Sequence, residues 1–139
     1  GDLTAKRSDV KTLKEERGWA DEVNFPEDLK KEVFIKHLKG PLFFGFTSEF
    51  QQLAKQIPKT ASTVVIRMDR MQYLDQSGLY TLEDVLMDLK NAGITILFVH
   101  VLEQPKYMME RVKLIPSLIA EDQIFDDFEA CTSYIKKNV

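Results

Sequence analysis

The amino-acid sequence predicts an α/β fold: a mixed, mostly parallel central sheet of about five strands, with an antiparallel N-terminal hairpin and about four helices. The main observation is a buried strand, an amphipathic helix and a second buried strand in succession. The two strands, residues 64–68 and 94–99, are nearly continuous in apolar residues. Such runs are typical of parallel strands that are covered on both faces. The other observations are a hairpin pattern near residue 40 and further helical patterns toward the C-terminus.

Between the two strands, leucine and valine residues recur at the spacing of one helical face. We therefore expect Leu82 and Leu86 to be buried against the sheet, with Tyr80 and Asp84 on the opposite face. Gly93 follows at the position where a left-handed residue commonly ends a helix. The three elements together predict a parallel crossover of normal length.

The N-terminal residues 1–32 carry seven Lys/Arg and nine Asp/Glu, and their few apolar residues are spread out. This composition predicts a solvated linker with a short helix over residues 4–17. We place the start of the globular domain at residue 33. A strand is predicted over residues 33–38, and Lys39-Gly40-Pro41 turns the chain back into a second strand at 42–44.

Two further helices are predicted on either side of the central unit. Ser48-Glu49-Phe50-Gln51 has the pattern of a capping box, and Pro58 would end the short helix that it opens. Pro105 lies near the start of a later helix. The apolar face of that helix is predicted to consist of Met108, Met109, Val112 and Ile115.

The chain is predicted to end in a short strand at residues 124–125 and a last helix. Asp126-Asp127-Phe128-Glu129 has the pattern of a second capping box, which would open that helix. Cys131 lies on its apolar face and is expected to be a small buried thiol. Because it is the one cysteine in the sequence, an internal disulfide is excluded and a reducing compartment is indicated.

Size and composition limit the class of protein. The 139 residues, 44% hydrophobic and 29% charged, fit one globular domain with a core of its own. A net charge of -3 provides no broad basic field, so we expect no nucleic-acid partner. The longest apolar runs are far shorter than the roughly 20 residues that span a bilayer. Because the sequence starts without methionine or an apolar signal core, we expect it to be a fragment of a longer protein.

The candidate functional motif is Asp75-Gln76-Ser77-Gly78, at the start of the central helix. Asp75 or Ser77 can cap the free amides of the first turn, and Gly78 allows another backbone or an anion to come close. Because a helix start carries partial positive charge, a phosphate on Ser77 would be tolerated or favoured there. Taken alone, the motif also fits an ordinary capped helix.

The run Leu74-Asp75-Gln76-Ser77-Gly78-Leu79, which follows a hydrophobic strand, resembles the signature of STAS domains. This fold is shared by anti-sigma-factor antagonists and by the C-terminal tails of sulfate permeases. In the antagonists the serine before the glycine is the phosphorylation site, which makes Ser77 the candidate phospho-acceptor. The antagonists usually carry serine or threonine at the preceding position, whereas this sequence has Gln76.

A second run, Leu38-Lys39-Gly40-Pro41-Leu42-Phe43-Phe44-Gly45, resembles the opening hairpin of the STAS domain in sulfate permease (SulP) family anion transporters. The resemblance implies a STAS domain over residues 33–139 and a linker from a preceding membrane domain over residues 1–32. It implies a non-catalytic regulatory domain on the cytoplasmic side of the inner (plasma) membrane, soluble when isolated. The implied partners are the membrane domain of its own transporter and a cytosolic regulatory protein or nucleotide.

Two other functions remain open at this point. The first is a soluble anti-sigma-factor antagonist that is switched by phosphorylation of Ser77. The second is a sensor that binds a nucleotide or an anion at residues 68–76 and the helix start. An enzyme is not expected, because the sequence has no nucleophile elbow or glycine-rich phosphate loop with a lysine. We expect no cofactor. We also expect no metal site, because His37 and His100 are isolated in the sequence and are predicted to be structural or surface residues.

Overall fold

The computed structural model describes residues 18–40 and 50–139. Within these residues, four parallel strands form one sheet in the order in which they occur along the chain. This arrangement confirms the predicted α/β fold with a mostly parallel sheet. The predicted second strand of the hairpin, residues 42–44, lies outside the described residues. The strands are β1 (Val33–His37), β2 (Thr63–Arg67), β3 (Thr95–Val99) and β4 (Ile124–Phe125).

Helices cover both faces of the sheet. Because successive side chains of a strand point to opposite faces, Val64 and Ile66 face one core while Val65 faces the other. The first core is closed by helices α1 to α4. The second core is closed by Phe25 and Leu29, which precede β1, and by helix α5. The helices are α1 (Leu53–Gln56), α2 (Gln76–Asn91), α3 (Glu103–Arg111), the short α4 (Leu114–Ser117) and α5 (Phe128–Asn138).

Helix α2 is the long helix predicted between the two core strands. Leu82 and Leu86 are fully buried, and Tyr80 and Asp84 are exposed, as the spacing predicted. Gly93 has a φ of 76°, and its N–H donates to the Lys90 carbonyl at 2.9 Å. The left-handed glycine thus ends the helix in the predicted way.

Several predicted boundaries differ from the structure by one residue. Strand β2 begins one residue earlier than predicted, and strand β3 begins one residue later. The last helix is capped by Asp127, which accepts a hydrogen bond from the Ala130 N–H at 2.8 Å, so the capping box predicted from Asp126 is wrong. For the helix that ends before Pro58, Ser48 and Glu49 of the predicted box lie outside the described residues.

The predicted apolar face after Pro105 is wrong at Val112, which is 42% exposed. Helix α3 ends at Arg111, and Lys113 takes a left-handed conformation with a φ of 61°. Val112 is therefore the C-cap residue beyond the helix, and burial resumes after the left-handed turn, at Leu114 and Ile115. A spacing rule that assumes one continuous helix cannot anticipate the break.

Residues 18–32 pack onto the sheet, although they were predicted to be a solvated linker. Two short 3-10 helices form at Ala20–Glu22 and Glu27–Leu29. Phe25 is buried, with its ring centroid 5.9 Å from that of Phe128 in helix α5. Glu22 is buried as well. The described part of the predicted linker therefore belongs to the folded body, and the helix predicted over residues 4–17 lies outside the described residues.

Across residues 18–40 and 50–139, no helix combines the length and the apolar character needed to span a lipid bilayer.

Candidate functional site

The motif predicted from the sequence forms the first turn of helix α2. Asp75 is the N-cap residue, and its carboxylate Oδ1 accepts a hydrogen bond from the Gly78 N–H at 2.6 Å. Of the two candidate caps, the structure therefore uses Asp75. Ser77 is exposed in the same turn, and Gly78 is buried. The hydroxyl of Ser77 is thus presented to solvent beside the positive end of a long helix.

The loop between β2 and α2 is anchored at several points. The side chains of Met71 and Leu74 are buried in the first core. The amide group of Gln104 in helix α3 donates to the Leu74 carbonyl at 3.0 Å and accepts from the Leu74 N–H at 2.8 Å. These contacts anchor the second half of the loop, next to the motif.

The anchored loop and the start of helix α2 together expose a polar and aromatic surface, which we call the motif surface: Gln72, Tyr73, Gln76, Ser77 and Tyr80. Tyr73 is 48% and Tyr80 54% exposed, and the Gln76 amide donates to the Tyr80 hydroxyl at 2.8 Å. Tyrosine and amide side chains offer contact area and hydrogen bonds together, which suits a protein partner.

A groove of about 810 Å³ lies next to the motif surface, along the first two turns of helix α3. It contains both acidic and basic side chains, including Glu103, Lys106 and Glu110, and exposed Tyr107 stands in it. A single lysine beside two glutamates provides no cationic site for an anion. The helix start itself is the feature of this region that would attract negative charge.

A second polar cluster, which the sequence did not reveal, lies at the C-terminal ends of β1 and β2. At its centre is the Arg67 side chain, which is only 3% exposed. All five N–H donors of the guanidinium are paired with carboxylate oxygens. Two pair with Asp21, two with Asp69 at 3.0 and 2.8 Å, and one with Glu22 at 2.9 Å. We call Arg67, Asp21, Glu22, His37 and Asp69 the Arg67 cluster.

Glu22 connects the Arg67 cluster to strand β1 and to the chain before it. Its side chain is 4% exposed, and its two oxygens lie 3.0 and 2.8 Å from Nε2 of His37. Because an ionised carboxylate only accepts hydrogen bonds, the Nε2 atom of His37 is the donor. Glu22 also accepts from the Trp19 N–H at 3.1 Å. His37 is therefore a buried structural residue, one of the two roles predicted for it.

The charges of the cluster shift the pKa values of its members. Burial by itself lowers the pKa of Arg67, but the hydrogen bonds with Asp21, Asp69 and Glu22 outweigh burial and raise that pKa above its ordinary value. The hydrogen bond with Arg67 lowers the pKa of Asp21, against a smaller opposing effect of burial. The guanidinium is thus permanently charged, and Asp21 stays ionised to lower pH than a free aspartate.

This lowered pKa predicts an acid-dependent contribution of Asp21 to stability. A carboxyl group whose pKa is lower in the folded state stabilises the fold above its unfolded pKa of about 3.9. The contribution is lost as the pH falls through the lower, folded value. We expect an Asp21→Asn variant to be less stable than the parent chain at pH 7, with the difference disappearing in strong acid. Urea unfolding at several pH values measures the difference, and a constant gap down to about pH 2 would contradict the assignment.

The other polar candidates do not form a further site. His100 is exposed on the far side of Asp69, with 3.7 Å between Nδ1 and Oδ2. Cys131 is buried, and burial raises the pKa of its thiol to about 12, which keeps it protonated. Within the described parts of the chain, no three His, Cys, Asp or Glu residues are grouped so as to hold a metal ion.

Comparison with known families identifies the fold. The STAS domain model matches residues 27–131 of the chain. The chain belongs to the STAS domain family. The match covers all four strands and the motif at the start of α2, as the resemblance of the sequence implied.

One relative of this STAS domain and one protein of similar fold have names that refer to sulfate transporters. The "Putative sulfate transporter YvdB" of Bacillus subtilis (strain 168) is 25% identical over 101 residues, which are 72% of this chain and 19% of that protein. The chain therefore spans about a fifth of that relative. A sulfate transporter family protein from Wolinella succinogenes has a similar structure, with a TM-score of 0.74 and 23% identity over 86% of this chain and 93% of that chain.

The fold is also similar to that of the anti-sigma factor antagonist SpoIIAA in its unphosphorylated form. The TM-score is 0.63, with 13% identity over 80% of this chain and 94% of that chain. At this identity the likeness shows the fold alone. It leaves the choice between a transporter domain and a free-standing antagonist to other observations.

Proposed function

We propose that this STAS domain is the cytoplasmic regulatory domain of a sulfate permease family anion transporter, without catalytic activity of its own. The observation that carries this proposal is the similarity to YvdB, of which the matched residues form only 19%. In a transporter of the length of YvdB, a domain of this size would not contain the transport path, which would lie in the remaining residues of the transporter. Its contribution to transport is then made through contacts.

The motif surface is the region that we assign to those contacts. Its loop follows the C-terminal end of strand β2, the end at which open α/β sheets usually bind other molecules. The loop is anchored by Met71, Leu74 and Gln104, so its backbone is already positioned before a partner binds. A loop whose backbone is already fixed loses less conformational entropy when a partner binds. The partner that we assign is another part of the same transporter.

Ser77 gives this surface a means of regulation. It is exposed in the first turn of α2, where the helix dipole stabilises negative charge and the Asp75 cap holds the turn closed. A phosphate or a carboxylate at position 77 would change the charge of the motif surface while the fold remained intact.

The proposal is tested with a Ser77→Glu variant of the full-length transporter. Because a carboxylate in the first turn stabilises a helix by about 0.3 to 1 kcal/mol, the variant should fold normally. We expect anion uptake to change while membrane abundance and the melting temperature of the isolated domain stay near those of the parent.

Ser133→Glu is the matched control, because Ser133 is exposed on helix α5 at the opposite face of the sheet. The control should leave uptake unchanged. Asp75→Ala is a second probe of the same turn, and loss of an N-cap costs about 0.5 to 2 kcal/mol. If Ser77→Glu and Asp75→Ala both left uptake at the parent level with equal abundance, the turn would be an ordinary helix cap and the assignment would be wrong.

The free-standing antagonist is the second candidate function, and the exposed position of Ser77 is the observation that favours it. In that case a protein kinase would phosphorylate Ser77, and the unphosphorylated chain would bind the kinase. Gln76 replaces the serine or threonine that is usual in the antagonists, so the transporter domain is the better supported of the two. The antagonist would be favoured if cells produced this domain as a separate protein, not joined to a transporter, and if that protein carried phosphate on Ser77.

A further inference from the structure

The N-terminal residues 19–25, which we call the docked segment, contact the beginning of the loop that carries the motif surface. The contacts run through the Arg67 cluster. Asp21 and Glu22 come from the docked segment, whereas Arg67 ends strand β2 and Asp69 is the second residue of the loop. Asp21 and Glu22 lie 46 and 45 positions before Arg67 in the sequence. The guanidinium of Arg67 therefore connects the docked segment to the first residues of the loop.

Trp19 adds a second contact between the same two regions. Its ring centroid lies 4.7 Å from Cζ of Arg67 and 4.3 Å from Cζ of Arg70, both within the distance of cation–π attraction. The His37 ring also packs against it, at 4.6 Å between centroids. Arg70 belongs to the loop itself, two residues before Gln72 of the motif surface. The docked segment thus supports the first half of the loop, while Gln104 anchors the second half.

The chemistry of these contacts favours two discrete arrangements. If Asp21 and Glu22 left the cluster, Arg67 would remain buried with only Asp69 as a paired carboxylate. A buried charge that loses its partners is costly, so partial release of the docked segment is unfavourable. Full release would expose Arg67 and remove the ring against which Arg70 lies, and both changes occur at the start of the loop.

We propose that the docked segment regulates the motif surface, by holding residues 68–73 of the loop in the described conformation while it is bound. The coupling is a property of this chain, but its role in transport rests on the function proposed above. A displacement of the docked segment would then reach the motif surface through Trp19 and Arg67.

Amide hydrogen exchange on the 139-residue chain tests the coupling. A Trp19→Ala variant should accelerate exchange of the amides of Met68 and Met71 by about tenfold or more, because these N–H groups donate to the Val99 and Met68 carbonyls at 2.9 and 3.0 Å and would be exposed by a local opening. Amides in the middle of α2, such as that of Leu86, report global unfolding and should keep their rates. Val23→Ala is the matched control, because Val23 lies in the docked segment but is largely exposed. It should leave the loop amides at the parent rates.

A second variant covers the case in which Trp19→Ala destabilises the whole chain. Asp21 is half exposed, so Asp21→Asn should keep the fold while it removes the negative charge and one of the two oxygens that accept hydrogen bonds from Arg67. It should accelerate the same loop amides by a smaller factor. Unchanged loop amides in both variants, or acceleration that is equal at the loop and at Leu86, would overturn the proposal.

The exchange experiment does not involve transport, so the two proposals fail separately. If the loop amides respond while Ser77→Glu and Asp75→Ala both leave uptake unchanged, the coupling stands and the function assigned to the motif surface is wrong. If Ser77→Glu changes uptake while the loop amides do not respond, the proposed function stands and the coupling is wrong.

Discussion

An Arg67→Met variant is expected to unfold with a free energy roughly 3 to 5 kcal/mol lower than that of the parent chain, the range for removing one partner from a buried ion pair. Methionine fills much of the space of the arginine side chain but offers no donor. Three carboxylates, of Asp21, Glu22 and Asp69, would then face one another without a cation between them. Solvent screens Asp21, which is 51% exposed, so most of the loss should come from Glu22 and Asp69. Urea unfolding at pH 7 measures the change.

Two controls show whether the loss comes from the geometry of the cluster. Arg67→Lys keeps the charge, but an ammonium has three donors where five are used, so it should recover only part of the stability. Arg70→Met removes a neighbouring exposed arginine and should cost about 1 kcal/mol or less. If Arg67→Met were as stable as Arg70→Met, the Arg67 cluster would not stabilise the fold.

A double variant separates the repulsion among the carboxylates from the loss of packing. Adding Glu22→Gln to Arg67→Met removes the most buried of the three negative charges. Residues that share one network are not additive, so the double variant should be less destabilised than the sum of the two single variants. Simple additivity would show that the network is not coupled.

A Leu86→Ala variant is expected to lose about 2 to 5 kcal/mol, the range for truncating a buried leucine to alanine. Leu86 lies on the buried face of α2 within the larger core and is fully inaccessible to solvent. The loss combines the transfer energy of the removed carbons with the cavity that they leave. A thermal or urea melt of the isolated domain measures it.

The same helix provides two controls for Leu86. Met87→Ala removes an apolar side chain of similar size from the next position, where it is 48% exposed. Asp84→Ala removes an exposed charge from the opposite face. Both should stay within about 0.5 to 1 kcal/mol of the parent chain, as is usual for surface changes. A larger loss for either control than for Leu86→Ala would mean that the buried face of the helix had been misidentified.

The central unit could be predicted from the sequence because its signals are local. Each strand of this unit is short and almost wholly apolar, and the leucines of α2 repeat at helical spacing between them. The Asp75 cap is local too, since its bond to Gly78 closes over three residues. Local patterns are weaker at boundaries, so the strand ends and the cap of α5 were each misplaced by one residue. Val112 was misplaced for the same reason, because helix α3 ends at Arg111, one residue before it.

The sequence by itself determined the strand, helix and strand of the central unit, the face of α2 that is buried, and the position of Ser77 at a helix start. Only the tertiary structure decided that Asp21 and Glu22, in a stretch that looks like a charged linker, are the partners of Arg67. Nothing in the spacing of these residues indicates the pairing, since a separation of more than 40 positions corresponds to no helical or strand period. The partners meet because parallel strands β1 and β2 end side by side and the docked segment crosses their ends. A buried charge must be paired with an opposite charge, and the available partners are those that the folded chain brings within hydrogen-bond distance. Asp21 and Glu22 reach Arg67 only once the sheet has formed.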